Sequence, residues 1–235
     1  MKKKLLVIIP CYNEEATIAH LLKELSLTNF PENIEYEIVV INDCSSDNTS
    51  AIVTQFPVSL INLPINLGIG GAMQTGFKYA IKNCFDLAVQ MDGDGQHPPS
   101  ELLKMLNHQM KSNANLIIGS RFITKQGFQS SVLRRSGIRY LQILNKILTG
   151  KNVYDTTSGF RLLDNKALEL FAHDYPDEYP EPDSLIRCSR KGILIEEVAV
   201  IMRERQGGVS SIQYFSQLYY IIKVSLAMFY SFIRN

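Results

Sequence analysis

Cysteine is scarce and patternless in this 235-residue chain. Cys11, Cys44, Cys84 and Cys188 form no Cys-x-x-Cys, so they are expected to be reduced thiols of a cytosolic protein. No low-complexity tract, internal repeat or Pro/Gly/Ser-rich linker marks a second large domain. Long apolar runs are missing as well. Leu5–Ile9 spans five residues before Pro10 and the polar Asn13-Glu14-Glu15, too short for the core of a leader peptide, and reads as a buried strand. The longest nearly apolar stretch, Leu218–Ile233, is interrupted by Lys223 and falls short of the roughly 20 residues a bilayer span needs. A net charge of +1 argues against a general nucleic-acid binder.

One further absence is local. No Asp or Glu occurs from Leu102 to Tyr154, yet that segment holds nine basic residues, among them Arg121, Arg134, Arg135 and Arg139. The rest of the chain carries 15 basic and 23 acidic residues, a balance of −8. Such segregation creates a positive field able to attract an anionic ligand or lipid surface. A solvated basic helix face gives the same count.

What is present is the composition of an ordinary globular protein, 46% hydrophobic and 20% charged, long enough for one α/β domain with a real core. Strand-like runs alternate with helix-like ones. Leu5–Ile9, Tyr36–Ile41, Val58–Ile61, Phe85–Met91 and Asn115–Gly119 read as strands. Between them, Asn13 is expected to cap a helix carrying Ile18, Leu21, Leu22 and Leu25 at helical spacing. Further helices are expected from Ser46, from Gly68 to Asn83, and from Pro98-Pro99. This alternation implies a mostly parallel sheet with helices on both faces. Beyond Gly119 the pattern loosens: a basic amphipathic helix over Ser131–Thr149, a short strand over Ser158–Leu163, a helix over Asp164–Ala172, a Pro/Tyr/acid-rich loop over Asp174–Asp183, and a strand over Ile193–Met202.

In the tail, Gln213, Ser216, Gln217, Tyr220, Lys223, Ala227, Ser231 and Arg234 step by three or four, a narrow stripe with a broad apolar face opposite. An interfacial helix, or one packed on a membrane partner, is expected over Ile212–Asn235. A helix buried in the protein's own core is the alternative. The chain thus divides into residues 1–211, one globular domain, and 212–235, an associating helix.

Met91-Asp92-Gly93-Asp94-Gly95-Gln96-His97-Pro98-Pro99 follows the fourth strand. Ligands of open α/β sheets bind at that carboxyl edge. In an extended segment Asp92, Asp94 and Gln96 point the same way and converge on one hard cation, Mg²⁺ or Mn²⁺. Such an ion is expected to hold a diphosphate. Asp-Gly pairs are also common turn formers, and a plain turn is the competing reading.

Five other segments accompany this one: Ile8–Glu15 after the first strand, Val39–Thr49 after the second, Asn66–Ala72 before the third helix, Gly119-Ser120-Arg121-Phe122, and Asp155–Arg161. In this order they resemble the family 2 glycosyltransferases, which have the GT-A fold. The likeness runs from about Lys4 to Ile212. Within that family the chain is similar to the branch of dolichol-phosphate mannose synthase and related polyprenyl-phosphate glycosyltransferases.

The resemblance implies site roles. Pro10, Tyr12, Glu14, Asp43 and Gly68 would hold the nucleotide sugar, with Asp92. Asp92, Asp94 and Gln96 would hold the metal, with Asp94 the central catalytic ligand. Arg205, in Arg203–Ser210, would stabilise the departing diphosphate. Arg121 and either Arg134 or Arg135 would clasp a lipid phosphate. His97 is expected to serve the turn. A phosphate acceptor, already ionised, needs no strong base; a sugar hydroxyl does, and Asp183 or Glu181 would then supply it.

The implied reaction is inverting, metal-dependent hexose transfer from a UDP- or GDP-sugar to polyprenyl phosphate, at the inner face of a membrane. The alternatives are extension of a lipid-linked polysaccharide and a nucleotide-sugar-binding scaffold. A nucleotidyltransferase is disfavoured because no glycine-rich, Lys-bearing triphosphate loop follows the first strand.

Overall fold

The computed structural model describes residues 2–124, 132–204 and 214–234. Its sheet contains β1 (Lys3–Cys11), β2 (Ile34–Asn42), β3 (Ser59–Asn62), β4 (Leu87–Gln90), β5 (Leu116–Ser120), β6 (Arg161–Asp164) and β7 (Ile195–Ala199). The helices are α1 (Ile18–Ser26), α2 (Thr49–Val53), α3 (Gly68–Lys82), α4 (Pro99–Gln109), α5 (Val132–Thr149), α6 (Asn165–His173), α7 (Pro180–Arg190) and α8 (Tyr214–Ile233).

The spatial strand order is β3-β2-β1-β4-β6-β5-β7. All strand pairs are parallel except those that β6 makes with β4 and β5. The mostly parallel α/β sheet expected from the sequence is therefore present, with one antiparallel strand inserted. Residue alternation along β1 explains the two covered faces. Leu5, Val7 and Ile9 point to a core formed with α1, α2 and α4. Leu6 and Ile8 point to the opposite core, formed with α3, α6 and α7. On α1, Ile18, Leu21, Leu22 and Leu25 are all buried, each stabilising by roughly 1.5–3 kcal/mol. A third, smaller cluster joins Leu141 of α5, Ile186 of α7 and Val224 and Met228 of α8.

Two local expectations change. Asn13 does not cap a helix: it adopts a left-handed φ of 56°, and α1 starts only at Ile18. The Asp174–Asp183 loop ends early, because α7 begins at Pro180. Both Pro180 and Pro182 fall in its first turn, where a missing N–H costs no helical bond.

Candidate active site

The loops after β1 and β2 are laced together by side chains. Asn13 N donates to Ser45 Oγ (3.0 Å), and Ser46 N donates back to Asn13 Oδ1 (2.9 Å). Glu14 N donates to Thr49 Oγ1 at 2.8 Å, and Asn48 N to a Glu15 carboxylate oxygen at 2.9 Å. This lacing leaves Tyr12 exposed and Glu14 half-buried, with the Glu14 carboxylate accepting from Thr17 Oγ1 at 3.0 Å. Pro10 is buried within β1, opposite Ile41. Asp43 is buried too; its Oδ1 accepts from Leu67 N at 2.7 Å and so fixes the turn that opens α3.

Gly68 has a φ of 72° at that turn, a conformation costly for other residues. Gly70, two residues on, is needed for a different reason. Gly70 N donates to Asp177 O at 3.1 Å, and a Cβ on Gly70 would lie 2.2 Å from the carbonyl oxygens of Pro176 and Asp177. The close backbone approach required at Gly70 is to the segment preceding α7.

The segment after β4 is not extended. Residues 93–94 form a turn, so strand alternation does not align Asp92, Asp94 and Gln96 on one side. Asp94 is buried, and its Oδ1 accepts from Gln96 N at 3.0 Å. Asp92 stands at the edge, with its side chain 33% exposed. Gln90 Nε2 donates to Asp92 Oδ1 at 3.2 Å, and Asp92 N donates to His97 Nδ1 at 3.1 Å. The His97 ring stacks on Phe160 at 4.6 Å, which gives His97 the turn role expected of it. Gly159 packs closely against this group: a Cβ there would lie 2.8 Å from Gln90 Nε2 and 3.5 Å from Asp92 Oδ2.

Among the described residues, no three His, Cys, Asp or Glu gather as an all-protein metal cage. The donor set still suits a small hard cation. Mg²⁺-type ions are held by one or two carboxylates, with substrate phosphates completing the shell. Asp92, one-third exposed, and the buried Asp94 are carboxylates that could serve such an ion.

A second group lies in the field of Asp92. Arg121 follows β5 and donates to Asp155 through Nε (2.7 Å) and Nη2 (2.8 Å), and to Thr157 Oγ1 at 3.0 Å. Asp155 is fully buried, and its own N donates to Glu197 at 2.9 Å. Burial pushes the Glu197 carboxyl above its ordinary value. The Asp155 pair and the field of Asp92 hold Arg121 more firmly protonated, against the effect of burial.

Arg161, on β6, is 0% exposed. Its guanidinium donates to Ser158 O (2.8 Å), Ser184 Oγ (2.6 Å), Glu181 O (2.8 Å) and Thr156 O (3.4 Å). It thereby ties the 155–159 loop to the first turn of α7.

The two acids of that turn separate. Burial raises the Glu181 carboxyl, opposed by Arg161, and Glu181 shares its field with Asp92 and Arg121. Asp183 instead pairs with Arg187 at 3.0 Å and meets Ser231 of α8; burial raises its carboxyl as well. Of the two, Glu181 is the one whose carboxyl feels the charge of Asp92. Arg134 stands in the first turn of α5, and Arg135 is exposed one residue later. Arg205 lies outside the described residues.

Asp92, Arg121 and Glu181 therefore lie within one another's electrostatic field, and Asp94 is buried two residues beyond Asp92. Sequence reasoning gave no role to Arg161, Asp155 or Gln90. For the first two the signal was available, since both lie in the Asp155–Arg161 segment that it singled out.

The family model of glycosyl transferase family 2 matches residues 6–171. A UDP-N-acetylglucosamine–dolichyl-phosphate N-acetylglucosaminyltransferase of Methanococcus voltae is 28% identical, over 84% of this chain and 85% of that protein. The polyprenol monophosphomannose synthase of Mycolicibacterium smegmatis is 28% identical, over 88% and 80%. Among solved structures, glucosyl-3-phosphoglycerate synthase from Mycobacterium tuberculosis in complex with Mn²⁺, UDP and glucosyl-3-phosphoglycerate superposes with a TM-score of 0.68 at 17% identity. That superposition covers 98% of this chain and 80% of the other, and shows a shared GT-A fold. Strand order, the edge carboxylates and the family match agree: the chain belongs to glycosyl transferase family 2.

Proposed function

We propose that this chain transfers a hexose from a UDP- or GDP-sugar to a polyprenyl phosphate, undecaprenyl or dolichyl, with inversion, in a divalent-cation-dependent reaction that feeds cell-surface glycan synthesis. The observation that carries this reading is the edge pair itself. Asp92, one-third exposed and held by Gln90 and His97, shares one field with the cation Arg121. The relatives with the dolichyl-phosphate and polyprenol names, matched over most of both chains, support the acceptor class. The Mn²⁺ and UDP complex of a structural neighbour supports the donor and the ion.

In this reading Asp92 and Asp94 hold Mg²⁺ or Mn²⁺, with Gln96 beside them. Such an ion would supply Lewis-acid neutralisation of the diphosphate leaving group. Pro10, Tyr12, Glu14, Asp43 and Gly68 surround the nucleotide. A phosphate oxygen of the acceptor attacks the anomeric carbon as that carbon's bond to the diphosphate oxygen breaks. The bonding electrons leave with the diphosphate, and Arg205 stabilises the charge that develops there. Arg121, with Arg134 or Arg135, orients the acceptor phosphate. The acceptor oxygen is already ionised, so most of the acceleration comes from positioning and charge stabilisation. The catalytic domain is 1–211, and residues 212–235 keep it at the inner face of the membrane.

A specific observation supports a second reading. The half-buried Glu181, in the first turn of α7 with its carboxyl raised by desolvation and in the field of Asp92, would serve as a base for a sugar hydroxyl, as extension of a lipid-linked glycan requires.

The test is incubation with a panel of nucleotide sugars, undecaprenyl phosphate and Mn²⁺, followed by organic extraction. A lipid-linked sugar is expected, and its absence across the panel overturns the proposal.

A further inference from the structure

Thr17 stands at the N-cap of α1, and its carbonyl accepts from His20 N (3.1 Å) and Leu21 N (3.2 Å). A threonine in that place ordinarily turns its hydroxyl onto the first backbone N–H groups of its own helix. Thr17 makes no such bond. The residue is 2% exposed, and its hydroxyl reaches 76 residues along the chain to donate to Gly93 O at 2.8 Å. Capping therefore does not account for this buried hydroxyl.

Its acceptor lies between the two acids of the strand-end turn. Gly93 O and Asp94 N belong to one planar peptide unit. Holding the oxygen holds the plane, and the plane sets the direction of Asp94 relative to Asp92. The turn also packs on the loop after β1. A Cβ on Gly93 would lie 2.8 Å from Cys11 Sγ, 3.3 Å from Pro10 O and 3.4 Å from Glu14 Cγ. The charges tell of the same closeness. Burial pushes the Cys11 thiol up, and Glu14, Asp92, Asp47 and Asp94 all push it the same way.

The Thr17 hydroxyl has a second acceptor. Glu14 Oε2 lies 3.0 Å from Oγ1, and Glu14 O lies 3.3 Å away. A hydroxyl carries one hydrogen, so a full bond to the carboxylate excludes a full bond to Gly93 O. The carbonyl is nearer, but the carboxylate is charged and the stronger acceptor. Glu14 and the turn thus compete for one proton.

We propose that Thr17 is a positioning residue that couples nucleotide binding to cation binding. When the Glu14 carboxylate turns to a nucleotide, the Thr17 hydroxyl passes wholly to Gly93 O and fixes the Asp92–Asp94 turn for the ion. The proposal rests on the functional reading above, in which Glu14 serves the nucleotide and Asp92 and Asp94 the metal. It adds a route between the two that does not run through the substrate's phosphates, and by linkage the coupling is reciprocal.

The experiment measures Mn²⁺ binding to the full chain by spin-resonance titration, alone and with saturating uridine or guanosine. A nucleoside has no phosphate with which to ligate the ion, so its effect on Mn²⁺ travels through the protein. In the parent, one of the two nucleosides is expected to tighten Mn²⁺ binding roughly fivefold. Thr17→Val keeps the shape and removes the hydroxyl. It should abolish that response and leave Mn²⁺ binding in the presence of the nucleoside about fivefold weaker than in the parent. Thr17→Ala, with less bulk to place, should behave the same, and Thr17→Ser should restore the response. Urea midpoints confirm that each variant is folded. A response of parental size in Thr17→Val or Thr17→Ala overturns the proposal. So does a parent that responds to neither nucleoside, or a Thr17→Ser variant that behaves like Thr17→Val. Each of these leaves Mn²⁺ binding by the parent, and with it the functional reading, in place. A parent that binds no Mn²⁺ overturns the metal assignment itself and the coupling with it.

Discussion

Replacing Arg161 with Met tests how the site is held together. Met preserves much of the buried volume but removes four donated hydrogen bonds. Glu181 O keeps a partner, because Ser184 Oγ also donates to it at 2.9 Å. The Ser158 and Thr156 carbonyls lose the guanidinium. A buried acceptor left unsatisfied costs about 1–3 kcal/mol, so two cost about 2–6 kcal/mol. Relief of the desolvation of a buried cation offsets part of this, leaving a net destabilisation of about 3 kcal/mol. With a urea slope of about 3 kcal/mol/M, the unfolding midpoint should fall by roughly 1 M. Arg161→Lys keeps the charge but loses the fork, and should fall about half as far. In folded Arg161→Met, transfer should drop as well, because both the 155–159 loop and the α7 turn lose their tie. An unchanged midpoint together with unchanged transfer would refute the argument.

Three further outcomes follow from particular contacts. Gly70→Ala places a methyl 2.2 Å from two backbone oxygens, and should cost about 2–3 kcal/mol in thermal or urea unfolding. Glu181→Gln should make the metal-free protein more stable than the parent at neutral pH. The raised Glu181 carboxyl contributes stability that is complete below the unfolded-state value and is lost as pH rises through the folded-state one. The gap in urea midpoint should therefore close in acid; a gap that widens in acid would reverse the sign. Removing divalent cations with a chelator should abolish transfer, Mn²⁺ should restore it, and Asp92→Asn should weaken Mn²⁺ binding measured by spin-resonance titration.

Much of the fold was legible because a parallel sheet buried on both faces has to be written as apolar runs separated by amphipathic helices. β6 gave no such signal of direction. It has four residues, and its antiparallel setting comes from its neighbours on both sides. α7 was hidden by Pro180 and Pro182, which read as loop formers yet fit a first helical turn. In the site, Asp92 was readable from its place at a strand end. The burial of Asp94 was not, since it depends on Gln96 N folding back onto it. The part played by Arg161 could not be inferred from spacing, because it joins oxygens from two segments that meet only in three dimensions. The tail showed its stripe in the sequence, but only the structure shows which side of the stripe faces the protein.

The most direct test is competition between acceptors. Purified protein, one accepted nucleotide sugar and Mn²⁺ are supplied with undecaprenyl phosphate or with a lipid-linked glycan at equal concentration, and release of nucleoside diphosphate is followed with product identification. Release coupled to a single sugar on the lipid phosphate is predicted, insensitive to Glu181→Gln. Transfer to the glycan alone, lost in Glu181→Gln, would contradict the account.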